Sequence, residues 1–200
     1  MKEAPKKRGR PRAFDSDRAL EGAIATFLHF GFTGASLEQL TAAMGLNKPS
    51  LYAAFGDKRE LFMRALQARA NAVAKRLRAA FDREATLEGA LDAMLREAVE
   101  IYANDDNPGC MIVTVSANEA LVDDGLAQYG RDFFEQCDRV LAKWIENRFA
   151  PRGAASAKTL SLLVNGVIHD ISVRARVGES PAKLREYAHS AALTLARAAG

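Results

Sequence analysis

The sequence predicts an all-α fold of about nine helices, in which a small N-terminal helical unit precedes a larger helical body. Three observations carry that prediction. Apolar residues recur at i, i+3, i+4 and i+7 almost from end to end, the spacing of core-facing helices. Glycine, proline and small capping residues fall between these stripes, where helices stop and start. Only one short run, Cys110 to Val115, favours a strand through Ile112, Val113, Thr114 and Val115. A lone strand has nothing to pair with, so a buried helix is expected there.

The first helix is expected from Asp15 to Phe30, with Leu20, Ala23, Ile24, Phe27 and Leu28 inward and Gly31 and Gly34 ending it. Ser36 and Gln39 form a capping-box pattern that opens a short helix with Leu37, Leu40 and Met44 inside. Gly45 closes it. Asn47 caps the next helix, where Pro49 sits in the first turn and costs no intrahelical bond. Leu51, Ala54 and Phe55 face inward there, and Gly56 ends it. Asp57 and Glu60 then open a fourth helix running through Leu61, Phe62, Ala65, Leu66 and Val73. Two short helices joined by a Gly-Leu turn make a helix-turn-helix, spanning Ser36 to Phe55.

Beyond it, Leu87, Ala90, Leu91, Met94, Leu95, Ala98, Ile101 and Tyr102 mark a helix ending at a polar loop, Asn104 to Gly109. A long helix follows from Asp124 to Phe149, broken by Pro151 and Gly153. Leu160, Leu163, Val164, Val167, Ile168, Ile171 and Ala175 mark the next, about 156–177. Ser180 and Pro181 open the last, about 181–198, with Leu184, Tyr187, Ala188, Ala191 and Leu195 on one face.

Composition narrows the function. Apolar residues are 48% and charged residues 26%, a globular balance. No run approaches the roughly 20 apolar residues of a membrane span. No apolar segment follows the basic N-terminus, so no secretory signal is expected, and two cysteines suit a reducing cytoplasm. Histidines 29, 169 and 189 are scattered with no zinc spacing, so no metal site and no cofactor are expected. The sequence has no P-loop, no G-x-S-x-G and no dinucleotide fingerprint, hence no positive support for catalysis.

Charge is uneven. Residues 1–80 carry 15 Lys/Arg against 7 Asp/Glu, and residues 81–200 carry 13 against 18. A basic end on an acidic remainder suits a polyanion partner. In the helix-turn-helix, Lys48, Pro49, Ser50 and Tyr52 lie at the N-terminal tip or the outward face of the second helix. That face is the one that reaches base edges and phosphates in the major groove of double-stranded DNA. Lys58 begins the fourth helix beside free backbone N–H groups, which favour an anion. Ser36 and Thr41 add candidate phosphate contacts, although Ser36 serves equally as a cap. The arm KKRGRPR presents Arg8, Arg10 and Arg12, which suit a narrow minor groove.

The segment FDSDRALEGAIATFLHFGFTGASLEQLTAAMGLNKPSLYAAFGDKRELF resembles the DNA-binding domain of the TetR family of regulators. The matching features are GF-x-x-x-S at Gly31 to Ser36, L-x-x-x-x-G at Leu40 to Gly45 and L-Y-x-x-F-x-x-K at Leu51 to Lys58. Asn47-Lys48-Pro49-Ser50 departs from the family's more frequent Ser-Lys-Gly-Thr, which bears on operator sequence and not on fold. The resemblance implies three regions: a basic arm over 1–13, a DNA-binding domain over 14–74 and an effector-binding and dimerisation domain over 75–200. It also implies a homodimer through the last two helices, for which Val167, Ile171, Leu184, Ala188, Ala191 and Leu195 are candidates, and a palindromic operator. Finally it implies an effector pocket in the middle helices, with Met94, Tyr102, Cys110, Met111, Phe133, Phe134, Cys137, Trp144 and His169 as candidate lining. Such residues at helical spacing are more often plain core.

The leading expectation is therefore a repressor released from DNA by a small-molecule effector. One alternative is a thiol-switched repressor, because Cys110 follows Asn107-Pro108-Gly109 at an expected helix start, where the dipole lowers a thiol pKa. Another, of a different class, is an all-helical carrier or enzyme with an incidental basic terminus.

Overall fold

A computed structural model describes residues 15–103, 108–113, 121, 123–150 and 155–199. Among these residues the chain forms eight helices and no strand. They are α1 (Ser16–Gly34), α2 (Leu37–Met44), α3 (Lys48–Phe55), α4 (Lys58–Asp82), α5 (Leu87–Tyr102), α6 (Asp124–Phe149), α7 (Ala157–Arg176) and α8 (Pro181–Ala198). Residues 111–113 are also helical, as expected for the ambiguous run, whose Thr114 and Val115 lie outside the described residues. The arm with Arg8, Arg10 and Arg12, and the breakers Pro151 and Gly153, lie outside them too.

The local signals act as read. Asp15 caps α1, accepting from the N–H groups of Asp17 and Arg18. Ser36 and Gln39 close a reciprocal capping box, as do Asp57 and Glu60. Asn47 caps α3 through the Ser50 N–H at 2.9 Å, and Thr86 caps α5. Gly45 takes the left-handed conformation (φ 66°) that turns α2 into α3.

Two boundaries differ from the sequence reading. Gly31 does break α1 (φ 74°), but the chain resumes helical turns to Gly34 instead of ending at Phe30. That extra turn brings Phe32 beside Phe62, with ring centroids 5.0 Å apart, so packing draws the segment back into the fold. The fourth helix continues past Val73 to Asp82, because Leu77, Ala80 and Phe81 extend its buried stripe.

The N-terminal unit packs α1 over α2, α3 and the start of α4. Phe27, Leu28, Leu40, Leu51, Leu61 and Phe62 form its core, and Phe27 meets Phe62 edge-on at 4.9 Å. The close packing of α1 on α2 requires Gly22, where a Cβ would stand 2.4 Å from the Ala43 carbonyl oxygen. In the larger body α5 is the central helix, packed against α4, α7 and α8. Its buried positions include Ala90, Leu91, Met94, Leu95, Ala98 and Val99.

Helix α6 lies along α4 and is fastened to it at both ends. Asp123, which caps α6, receives two bonds from Arg59, at 2.9 and 3.0 Å. At the far end Phe81 packs against Trp144 and Phe149, and Arg148 pairs with Asp82 at 3.3 Å. Between these fastenings the two helices line an interior cavity.

Candidate nucleic-acid interface and interior cavity

The helix-turn-helix is built from two eight-residue helices whose inner faces are consumed by the core. Leu40 and Leu51 are fully buried, and Met44 and Phe55 nearly so. What remains outward on α3 is Lys48, Pro49, Tyr52 and Ala53, with Ser50 half-buried. Tyr52 is 47% exposed, a large aromatic ring displayed to solvent on a helix that otherwise packs its apolar residues. Such a face is a rigid, capped platform with polar tips.

The candidate phosphate contacts divide by what already holds them. Ser36 is engaged as a cap: its Oγ accepts the Gln39 N–H at 3.1 Å while the Gln39 side chain accepts the Ser36 N–H at 2.7 Å. Thr41 donates its hydroxyl proton back to Leu37 and Glu38 carbonyls, at 2.8 and 3.0 Å. Lys58 lies 4.7 Å over the Phe32 ring, half-buried at the start of α4. Lys48 pairs with Glu38 of α2 at 2.5 Å, a partner the sequence reading missed. This bond draws the Glu38 carboxyl below its ordinary range and the Lys48 ammonium above its own. The pair ties the two helices across their turn and partly neutralises the cation at the tip.

The middle helices enclose a cavity of about 190 Å³. Met94, Tyr102, Cys110, Met111, Phe133, Cys137, Trp144 and His169, eight of the nine positions singled out by sequence, line it. Phe134 does not; it is 38% exposed and stacks edge-on against His169 at 5.0 Å. The apolar wall is completed by Leu66, Val73, Leu77, Leu141 and Ile168. Burial holds the Tyr102 phenol well above its usual range, pushes the Cys137 thiol up to about 12 and lowers the His169 imidazole. At neutral pH all three are therefore uncharged.

Sequence reasoning missed the polar part of this wall. Arg69 of α4 lines the cavity, and its Nε is fully covered without a hydrogen-bond partner. Asn165 of α7, buried, donates to Asp138 at 2.7 Å. The signal was available, since Arg69 and Asn165 interrupt otherwise apolar stripes at Leu66–Val73 and Val164–Ile168.

Cys110 is 8% exposed, and its backbone N–H donates to the buried Ser172 hydroxyl at 3.2 Å. A sensing thiol needs solvent access and thiolate character. This covered position offers little solvent access, so the thiol-switch alternative is not favoured.

The dimer candidates need correction. Ile171, Leu184 and Ala188 are fully buried within this chain's own core, where α8 packs on α5, and cannot face a partner. Val167, Ala191 and Leu195 are half-buried and packed against the same core. Half of the candidates thus lie on the inward stripe, and the other three keep part of their surface exposed. A second stripe on α7 faces out: Leu162, Leu163, Val173 and Val177 are 49%, 48%, 45% and 80% exposed, with Gly166 between them.

Comparison with known proteins agrees with this geometry. Residues 19–65 match the profile described as bacterial regulatory proteins, tetR family. The chain is 30% identical to the HTH-type transcriptional repressor ComR of Escherichia coli K12 over 189 residues, covering 92% of this chain and 90% of that one. It is 29% identical to the HTH-type transcriptional repressor BdcR of the same organism, over 86% of this chain and 84% of that one. Among solved structures it is similar to the TetR family transcriptional regulator CifR, a cysteine mutant complexed with 26-bp double-strand operator DNA. The TM-score is 0.78 at 29% identity, covering 92% of this chain and 98% of that one.

Proposed function

The chain belongs to the tetR family of bacterial regulatory proteins, and on that premise we propose that it is a homodimeric repressor released from a palindromic operator by a small molecule held in the interior cavity. The outward face of α3 carries this reading. Lys48, Pro49, Tyr52 and Ala53 have no packing role in the core, and the helix beneath them is fixed by Asn47 and by Leu51 and Phe55. In a helix-turn-helix this tip enters the major groove, where Lys48 can donate to guanine or phosphate and the Tyr52 hydroxyl reaches phosphate. Lys58 adds a cation one turn away, and Arg8, Arg10 and Arg12 add minor-groove contacts from the arm. The neighbour CifR, with operator DNA in its solved complex, supports the same reading.

The α7 stripe from Leu162 to Val177 would close the dimer. Its exposed apolar side chains share one face of the helix, and Gly166 leaves open space beside them, so a partner helix can approach closely. Two-fold symmetry then places two recognition helices about one DNA turn apart, roughly 34–36 Å. Helix α4 joins reading head to cavity: Lys58 stands at one end and Leu66 to Leu77 line the pocket. A ligand that prefers one spacing of α4 and α6 would shift the separation of the two heads, and only that differential affinity moves DNA.

Fluorescence-anisotropy titration against DNA from the gene's own upstream region, with scrambled DNA as competitor, tests the reading. Tight binding that survives competition is expected. About six phosphate contacts would cost on the order of a thousandfold in affinity between 50 and 200 mM salt. Tyr52→Phe should weaken binding on all sequences by removing one phosphate contact. Equal affinity for operator and scrambled DNA would sink the proposal.

A further inference from the structure

The cavity wall carries a guanidinium for which no described residue supplies a carboxylate partner. Arg69 sits on the inward stripe of α4 between Leu66 and Val73, among apolar side chains. Its Nε is covered completely and has no hydrogen-bond partner, and no carboxylate among the described residues pairs with it. Arg59, Arg76, Arg78, Arg148, Arg174 and Arg185 each hold a carboxylate, and among the described residues only Arg69 has a covered side-chain nitrogen without a partner. The acids near the cavity are already placed. Asp132 is exposed at the rim and accepts from Gln128 at 2.7 Å, and Asp138 accepts from Asn165. The Tyr102 phenol, buried and within the field of Arg69, stays protonated and cannot serve as counter-anion. A desolvated donor left unmatched is costly, and a charged one more so.

We propose that the cavity takes a small organic carboxylate, its anionic head bound to Arg69 and its aryl or short alkyl body packed among Leu66, Val73, Phe133 and Trp144. This rests on reading the cavity as the effector site and names the chemical class that site accepts. The planar guanidinium fork matches a carboxylate, and the Tyr102 phenol, within the field of Arg69, lines the same cavity. The volume agrees: an apolar cavity of about 150 Å³ admits benzene, and 190 Å³ adds room for one small polar group. Asp132 at the rim disfavours a dianion or a second acidic group at the far end.

Trp144 is the chain's one tryptophan and lines the cavity, so its fluorescence reports occupancy without DNA. Benzoate and hexanoate are titrated beside their neutral amides, benzamide and hexanamide. The acids are expected to bind at least about tenfold tighter than the amides, as a charge-assisted fork requires. Arg69→Met, which replaces the charge with an apolar chain of similar length, should abolish that preference, and Arg69→Lys should keep part of it. Thermal melts followed by circular dichroism verify that both variants fold. Equal binding of acid and amide, an unchanged preference in Arg69→Met, or no saturable response to either acid by about 10 mM would each overturn the proposal. Operator anisotropy separates the two readings. An acid that fills the cavity without changing DNA affinity leaves the carboxylate site standing and removes ligand-controlled release. Intact operator binding with no acid in the cavity removes only the carboxylate site.

Discussion

The N-terminal unit and the helical body behind it solve the same packing problem in opposite ways. The first sets two eight-residue helices, each with an explicit cap and stop, against α1, and fills its centre with Phe27, Leu40, Leu51 and Phe62. No lining residue of the cavity comes from α1, α2 or α3. The second uses helices of 16 to 26 residues that pack tightly around α5 and enclose space between α4 and α6. A reading head must present its tip at one fixed angle, so it tolerates little slack. A sensing body needs room for a ligand and an interface for a partner, so it keeps a void and an outward apolar stripe.

That contrast can be broken most severely at Gly22. A methyl there meets the Ala43 backbone oxygen, which cannot yield as a side chain could. Gly22→Ala should cost about 2–3 kcal/mol, net of its better helix propensity, and lower the melting temperature by roughly 5–10 °C. DNA affinity should fall with it, while occupancy of the cavity read at Trp144 should stay near wild type. Loss of both together would mean that the two regions are not separable. Next in size is the α7 stripe. Leu163→Asp places a charge within it and should convert dimer to monomer in sedimentation velocity, weakening operator binding by more than tenfold through lost bivalency. An unaltered dimer would move the interface elsewhere.

The smallest effect concerns His169. Its imidazole is held below the ordinary value of 6.5 by burial, with Asp138 opposing. The unfolded chain therefore takes up a proton that the folded chain refuses, and stability present above pH 6.5 declines as pH falls below it. His169→Gln should flatten that part of the melting profile. Glu38 and Asp123, both held low by cationic partners, contribute losses only further down, below about 4.5. A slope between pH 6.5 and 5 that persists in His169→Gln would assign it to another group.

The reading head was almost wholly legible from sequence because its information is local. A capping box, an asparagine cap or a left-handed glycine acts within four residues, so Ser36, Gly45, Asn47 and Asp57 mark their helices whatever surrounds them. The cavity residues were legible as a set for a related reason. Met94, Tyr102, Phe133, Cys137 and Trp144 lie on inward stripes of two helices, and stripes that face one another share an interior. The proposed dimer surface was not legible in the same way. On α7 the inward stripe through Leu160, Val164, Ile168 and Ile171 outweighs the outward one, and periodicity alone cannot say which belongs to a partner.

By itself, then, the amino-acid sequence determined the helices, their order and caps, the helix-turn-helix and the basic character of the end that carries it, since these depend on neighbours close along the chain. Tertiary structure decided what depends on residues far apart: that Leu184 and Ala188 serve this chain's own core, that Arg59 fastens Asp123, and that Arg69 Nε is covered with no partner among the described residues. Burial and charge pairing are properties of surroundings, and the surroundings of a side chain in a helical bundle are supplied by other helices.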